Sequence, residues 1–405
     1  MMTIKTNKTN GAMTFILMFG IVSLFSDMTH ESASSIRGAF LALLGASAAT
    51  IGFVSGLGEM VGYGMRYVFG RITDRTRLYW PMVIAGYVID IVAVPALALV
   101  GPHGWIAACA LLIVQRMGKA IKKPAKDTIM SFAATQQGAG KSFAIQEMLD
   151  QLGAFLGPLL LYVIMLFKSS GSTFERYSFC FACLAIPGAI TLILLWLTKR
   201  KFPNPENFEP DPKTFPKFKM RKGFILYIIG ISCFAFGFID YALVVMHISR
   251  TGIFSATELP LLYSGAMLID ALSALVFGWL FDRHGTLALI VSTLLSAPFP
   301  LLIFMGHSEC VFILGILLWG IGMGAQESIL KAAVATMVPK QSRATGYGLF
   351  ECSFGVFWFL GSWLLGVLYD TSVTAMVAVS MGAQLAAIPF FLTTHKALKQ
   401  PSHTI

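Results

Sequence analysis

The sequence predicts an all-α integral membrane protein, with twelve transmembrane helices in two pseudo-symmetric six-helix bundles. Three observations carry this. First, 56% of the 405 residues are hydrophobic and only 12% are charged, against about 25% charged in ordinary soluble domains, so most of the surface has to face lipid. Second, twelve apolar stretches are long enough to cross a hydrocarbon core about 30 Å thick; they fall at 13–35, 49–70, 80–100, 104–124, 142–167, 178–198, 223–247, 259–280, 287–306, 310–333, 344–368 and 372–393. Third, acidic and glycine positions recur in the two halves: Asp27 with Asp240, Glu59 with Asp270, Asp74 with Asp282, Gly118 with Gly322, and Glu147 with Glu351, at separations that shrink from 213 to 204 residues. Differences in loop length produce that drift in a duplicated bundle, and the substrate path of such proteins lies between the halves. The expected organisation is a first bundle over 1–198, a linker over 199–222 and a second bundle over 223–405.

The net charge of +10 would suggest a nucleic-acid partner in a soluble protein. Here topology accounts for it. The lysines and arginines concentrate at both termini and in the even-to-odd connections, including Arg71, Arg75, Arg77, Lys199 to Lys201, Lys213, Lys217, Lys219 and Arg283, while Lys168, Arg176 and Arg250 lie in the opposite ones. The positive-inside rule then places both termini in the cytoplasm of an inner-membrane protein, with no nucleic-acid role. The first apolar segment outruns a signal-peptide core and has no small-residue cleavage site, so it reads as an uncleaved helix. Six scattered cysteines read as free thiols in apolar segments.

Helix 1 carries Asp27, His30 and Glu31 within one turn, and ionisable groups at membrane depth rarely face lipid, because each costs about 3 kcal/mol on insertion scales. Asp27 is therefore a leading cavity group. Helix 2 adds Glu59 and Arg66 and ends in Gly70-Arg71-Ile72-Thr73-Asp74-Arg75-Thr76-Arg77. Helix 3 holds Asp90. Helix 4 ends Gln115-Arg116-Met117-Gly118-Lys119-Ala120-Ile121-Lys122-Lys123-Pro124-Ala125-Lys126-Asp127. Its lysines either snorkel to head groups or, at three-to-four spacing, form one face for an anionic group or for pairing with Asp74 and Asp150. Helix 5 reads Glu147-Met148-Leu149-Asp150-Gln151-Leu152-Gly153-Ala154-Phe155-Leu156-Gly157-Pro158.

After helix 6, five prolines between Pro203 and Pro216 mark the linker as extended. Helix 7 offers Asp240 and His247, two turns apart, and helix 8 holds Asp270 and ends Gly278-Trp279-Leu280-Phe281-Asp282-Arg283-His284-Gly285. Glu327 and Lys331 form a favourable i, i+4 pair in helix 10, and Glu351 opens helix 11. No phosphate-binding loop occurs, so energy has to come from an ion or substrate gradient, or from nothing at all.

The two Gly-x-x-x-Asp-Arg loops resemble the signature of the major facilitator superfamily, although Arg77 stands where the first copy usually has a second glycine. The helix 4 run and the Asp-x-x-Gly-x-x-x-Gly-Pro of helix 5, with Asp27 and Glu59, resemble a prokaryotic subgroup of that superfamily. The resemblance covers the N-terminal half and the C-terminal signature loop. It implies alternating access, with Arg116 coupling protonation to movement. It also implies a conformational latch built on Gly70, Asp74, Arg75, Gly278, Asp282 and Arg283, with Lys119, Asp127, Asp150, Gly153, Gly157 and Pro158 as further gating residues. The end of the helix 5 run is similar to a proton-antiporter signature, which favours export; a helix-packing seam explains the same glycines. Arg116, the helix 4 lysines, Asp150 and the helix 5 glycines have no counterpart in the second half.

The expected function is secondary transport of a small solute, with proton coupling through Asp27, Glu59, Asp240 or Asp270 and with Glu31 and Asp90 in the same polar path. Two alternatives stand beside it. One is divalent-metal movement through Asp27, His30, Glu31, Asp240 and His247, and the other is uptake of an anionic metabolite bound by Arg116 and the lysines. Membrane enzyme chemistry would need a catalytic motif, and none occurs. No cofactor is expected, and a monomer suffices.

Overall fold

The computed structural model describes residues 2–137, 139–208, 222–338 and 343–399. The described chain is helical throughout its membrane segments, with fifteen α-helices: α1 Met2–Leu43, α2 Ala48–Thr76, α3 Tyr79–Ala96, α4 Trp105–Gln137, α5 Ala139–Phe167, α6 Thr173–Cys183, α7 Ala185–Lys201, α8 Lys222–Gly237, α9 Tyr241–Thr251, α10 Glu258–His284, α11 Leu287–Ser296, α12 Phe299–Met305, α13 Glu309–Met337, α14 Arg343–Thr371 and α15 Val373–Lys399. Each of the twelve expected segments falls on one helix or on a pair broken at a single point. Three pairs share a span: α6 with α7, α8 with α9, and α11 with α12. Among the described residues, ten spans are long and apolar enough to cross a membrane. The other two segments are α2 and α4, and α4 carries six charged residues from Arg116 to Asp127.

The chain gathers into two compact units. One comprises Met1–Leu44 and Val61–Lys213, the other Gly45–Met60 and Thr214–Ile405. In the first, α1 packs along α5, and α3 along α4. Its apolar core gathers Phe15, Phe19, Trp80, Tyr87, Ile129 and Met130, and the Trp80 indole donates to the Phe202 carbonyl at 3.1 Å. Most of the expected linker, 209–221, lies outside the described residues, as do the side chains of Glu327 and Lys331.

In the second unit, the first half of α2 lies against α14. A Cβ added at Gly52 would sit 2.2 Å from the Ser362 carbonyl oxygen, and one at Gly56 2.8 Å from Phe359 Cα. Only glycine permits so close an approach. Asp370 completes the joint by accepting the Ala49 N–H at 2.8 Å and the Ala48 N–H at 3.3 Å, which satisfies donors that a helix start leaves open.

The break between α8 and α9 exposes backbone in the middle of a span, where every polar group needs a partner. Side chains supply them. Ser380 Oγ and Gln384 Nε2 donate to the Gly237 carbonyl at 2.5 and 3.3 Å, and the Trp319 indole donates to Ile239 at 3.0 Å. Asp240 caps α9 by accepting the Ala242 N–H at 2.8 Å.

Candidate functional site

Two glycines set the site up. An added Cβ at Gly118 would lie 2.6 Å from the Asp90 nitrogen and 2.8 Å from the Gly86 carbonyl oxygen, and one at Gly86 would lie 2.6 Å from the Lys122 nitrogen. With no side chains between them, α3 and α4 touch backbone to backbone. Asp90 is thereby brought against Gln115 and Lys122. Its carboxylate accepts Gln115 Nε2 at 2.5 Å and, on the other oxygen, the Lys122 ammonium. Lys122 also donates to Ser26 Oγ at 3.0 Å and lies 3.9 Å above the Tyr87 ring, a cation–π contact. Gln115 Nε2 lies 2.6 Å from His30 Nδ1, and His30 Nε2 faces Glu31 Oε1 at 3.5 Å. A buried polar chain thus runs Glu31, His30, Gln115, Asp90, Lys122, Ser26 across α1, α3 and α4, and it satisfies charges that would otherwise be costly at this depth.

The same device joins α5 to α1. Added Cβ atoms at Gly153 and Gly157 would sit 2.3 and 2.4 Å from the carbonyl oxygens of Leu24 and Met28. Asp150, one turn before Gly153, is thereby held beside Lys126, at 3.7 Å. Lys126 also donates to Ser23 Oγ at 2.5 Å, and Lys123 pairs with Asp127 at 3.2 Å.

Between these helices lies a polar cavity of about 150 Å³. Its walls are Ser23, Ser26 and Asp27 of α1, Arg66 of α2, Tyr87 of α3, Lys119, Lys122, Lys123 and Lys126 of α4, and Asp150 of α5. Three of the lysines are committed to carboxylates. The Asp27 carboxyl and the Lys119 ammonium are different: neither makes a hydrogen bond or an ion pair among the described residues, and both open into the cavity.

The other expected site residues are spread more widely. Arg116 follows Gln115 on α4 but is not part of the cavity wall. Glu59 is half-buried in the part of α2 that belongs to the second unit. Asp270, 2% exposed, sits where an added Cβ at Gly324 would lie 2.1 Å from its carbonyl oxygen, so it marks the α10–α13 seam. His247 meets the Tyr369 hydroxyl at 3.0 Å from Nδ1 and packs on Phe304 and Phe312. Among the described residues, no three His, Cys, Asp or Glu side chains gather as a metal site would require.

At the loop signatures, Asp74, Arg75, Asp282 and Arg283 are exposed, and the Arg283 guanidinium lies 4.2 Å over the Trp279 ring. An added Cβ at Gly70 would touch only Pro124, at 3.5 Å, and one at Gly278 would meet open space. Arg77 takes a positive φ without a glycine, at 54°, and Gly285 at the corresponding position of the second copy has φ 60°.

One expectation needs correction. The helix 5 glycine seam does have a counterpart: Gly361, 204 residues beyond Gly157, approaches the Phe236 carbonyl so closely that an added Cβ would lie 2.0 Å from its oxygen. The α1–α5 contact is thus repeated as α8–α14, hidden in the sequence because Pro158 is replaced by Ser362 and Gly153 by Phe357. Sequence reasoning also missed Ser23, Ser26, Tyr87 and Gln115. Their one signal was polarity inside otherwise apolar helices.

An all-α set of membrane-spanning helices, with a charged cavity among those of the first unit, is the architecture expected of a membrane transporter. The comparison with known families makes this specific. The model of the Major Facilitator Superfamily matches residues 10–253 and 225–404, and the chain belongs to that family. An uncharacterized protein of Mycobacterium tuberculosis is 37% identical over 380 residues, covering 92% of this chain and 91% of the relative. An uncharacterized MFS-type transporter of Methanocaldococcus jannaschii is 28% identical over 373 residues, 88% of this chain and 89% of the relative. Among solved structures, a peptide transporter of the POT family in complex with sulfate aligns at a TM-score of 0.75 with 14% identity, covering 95% of this chain and 94% of that one. An inward-facing, unoccupied bacterial homologue of the human lysosomal transporter Spinster aligns at 0.70 with 14% identity, covering 96% of both chains. At such identity the likeness shows the fold alone. The protein is a transporter and not an enzyme.

Proposed function

We propose that this protein is a proton-coupled secondary transporter of a small solute, working by alternating access in an inner membrane with both termini in the cytoplasm. The positive-inside distribution of lysine and arginine supports that orientation. The observation that carries the coupling is Asp27, a carboxyl at membrane depth that opens into a polar cavity with no hydrogen bond or ion pair among the described residues. Asp90 and Asp150 in the same unit are held by Lys122 and Lys126. A carboxylate locked to a lysine gives up its charge only by breaking a buried pair, whereas Asp27 can gain or lose a proton without doing so. The cavity is small beside the roughly 300–1,000 Å³ of drug-sized sites, which favours a compact polar solute. Gly153 and Gly157 are accounted for by the packing of α5 on α1, so the helix 5 signature carries no vote on export.

The test starts from a thermal-stability screen of purified protein at two pH values, which identifies a solute. In proteoliposomes, Asp27→Asn is expected to abolish solute movement driven by a pH gradient while counterflow of the solute on both sides persists. Gradient-driven accumulation that survives in Asp27→Asn, as well as in the amides of Glu59, Asp240 and Asp270, would remove the proton from the mechanism.

A further inference from the structure

Two opposite charges in the cavity wall make no direct pair, and they bear on what it binds. Its wall carries five cations, Arg66, Lys119, Lys122, Lys123 and Lys126, against the two carboxylates Asp27 and Asp150. Asp90 and Asp127 pair with Lys122 and Lys123 from behind the wall, and Asp150 pairs with Lys126. The two wall groups that make no direct pair are Lys119 on α4 and Asp27 on α1.

We infer that Lys119 binds the carboxylate or phosphate group of a small anionic solute, and that this anion travels together with a proton on Asp27. This rests on the reading of Asp27 as the coupling group and adds the sign of the substrate to it. An anion beside Lys119 meets repulsion from an ionised Asp27, with Asp150 adding to it. Lys119, Lys122, Lys123 and Lys126 of α4, Arg66 of α2, Tyr87 of α3 and Asp150 of α5 share the cavity wall with Asp27, while Asp90 stands behind Lys122, and His30 and Glu31 follow on α1. Of these, Asp90 and Asp150 are tied to lysines and Glu31 faces His30, so a proton on Asp27 is the simplest change that removes a negative charge from the cavity wall and leaves the field at Lys119 more positive. Proton and anion therefore raise each other's affinity, as linkage requires of any coupled pair. Ligands that bind each other's loaded form travel in the same direction, which makes the transport symport. A cationic solute would compete with the proton for Asp27 and travel against it.

The test uses the detergent-purified full chain with inorganic phosphate, lactate and succinate as anions, a primary amine as the cation, and phosphatidylglycerol nanodiscs to represent a lipid head group. Thermal stabilisation by at least one free anion is expected, with affinity roughly tenfold tighter at pH 5.5 than at pH 8, within the usual range for coupled sites. Lys119→Gln should lose that stabilisation and Lys119→Arg should retain it, which separates charge recognition from a folding defect. Asp27→Asn should bind the anion equally at both pH values. Several results would overturn the inference: no shift with any of the three anions, a shift with the amine alone, anion binding that weakens on acidification, or Lys119→Gln binding as the wild type does. Protection by phosphatidylglycerol with none by the free anions would make the cavity a lipid site and overturn it too. Anion binding that depends on Lys119 but moves without a proton, with Asp27→Asn transporting normally under a pH gradient, would instead refute the coupling role of Asp27 on which the symport rests.

Discussion

At φ 54°, Arg77 occupies the left-handed region that L-residues enter at a cost of about 1–2 kcal/mol and that glycine enters freely. Its counterpart, Gly285, also has a positive φ, 60°, which costs a glycine nothing. Arg77→Gly is therefore expected to leave stability unchanged or raise it by up to about 1 kcal/mol, read as the midpoint of thermal unfolding in detergent, the gain being limited by glycine's freedom in the unfolded chain. Asp90 stands at the other extreme. Asp90→Ala strands the buried Lys122 ammonium and should destabilise by roughly 3–5 kcal/mol, whereas Asp90→Leu combined with Lys122→Met should recover much of that loss. Failure of the double variant to recover would mean that the pair is not the source of the cost. Both residues were visible in the sequence, but their pairing was not: 32 positions separate them, and only the register of two touching helices decides who meets whom. The local setting of Asp240 was hidden for a related reason. The residue echoes Asp27 by position, yet Asp27 lies within α1 and Asp240 caps α9, because the apolar run around it conceals a break that composition does not mark.

Helices were the most legible level, since length and apolarity alone dictate them in lipid. What the sequence concealed was how they touch. Glycines at Gly86, Gly118, Gly153, Gly157 and Gly361 each bring one backbone against another, but a glycine in an apolar stretch looks the same whether it faces a neighbour or open lipid. Gly118→Leu is expected to force α3 from α4 and to lose both stability and transport. Gly265→Ala, where an added Cβ meets nothing within 4 Å, should be neutral or slightly stabilising by helix propensity, by at most about 1 kcal/mol. Gly157→Val and Gly361→Val should be comparably damaging if the α1–α5 and α8–α14 seams are true repeats; a large difference in unfolding midpoint between them would break the equivalence. Asp370→Ala removes the cap from α2 and should cost about 1 kcal/mol.

For the molecule as a whole, duplication could be read from the spacing of acids and glycines, and the structure sharpens what was copied. The seams are shared, and the charged cavity of the first unit is built from α4 lysines that the second half does not repeat. Symmetry thus belongs to the scaffold, while the chemistry resides in residues one half acquired or the other lost. The α3–α4 contact also reaches back to the protein's birth. With Arg116, Lys119 and Lys122 in its first eighteen residues, α4 is not among the spans apolar enough to enter lipid alone, and each charge near the bilayer centre costs about 3 kcal/mol. α3 is strongly apolar, with a mean hydropathy of 2.2, and brings Asp90 to Lys122. The two are expected to leave the translocon as a hairpin, α4 waiting in the insertion channel for its partner. In a glycosylation-mapping assay α4 alone should fail to span, the α3–α4 pair should succeed, and Asp90→Ala should reduce that success, so that the carboxylate that steadies the mature cavity is also what admits its charged helix to the membrane.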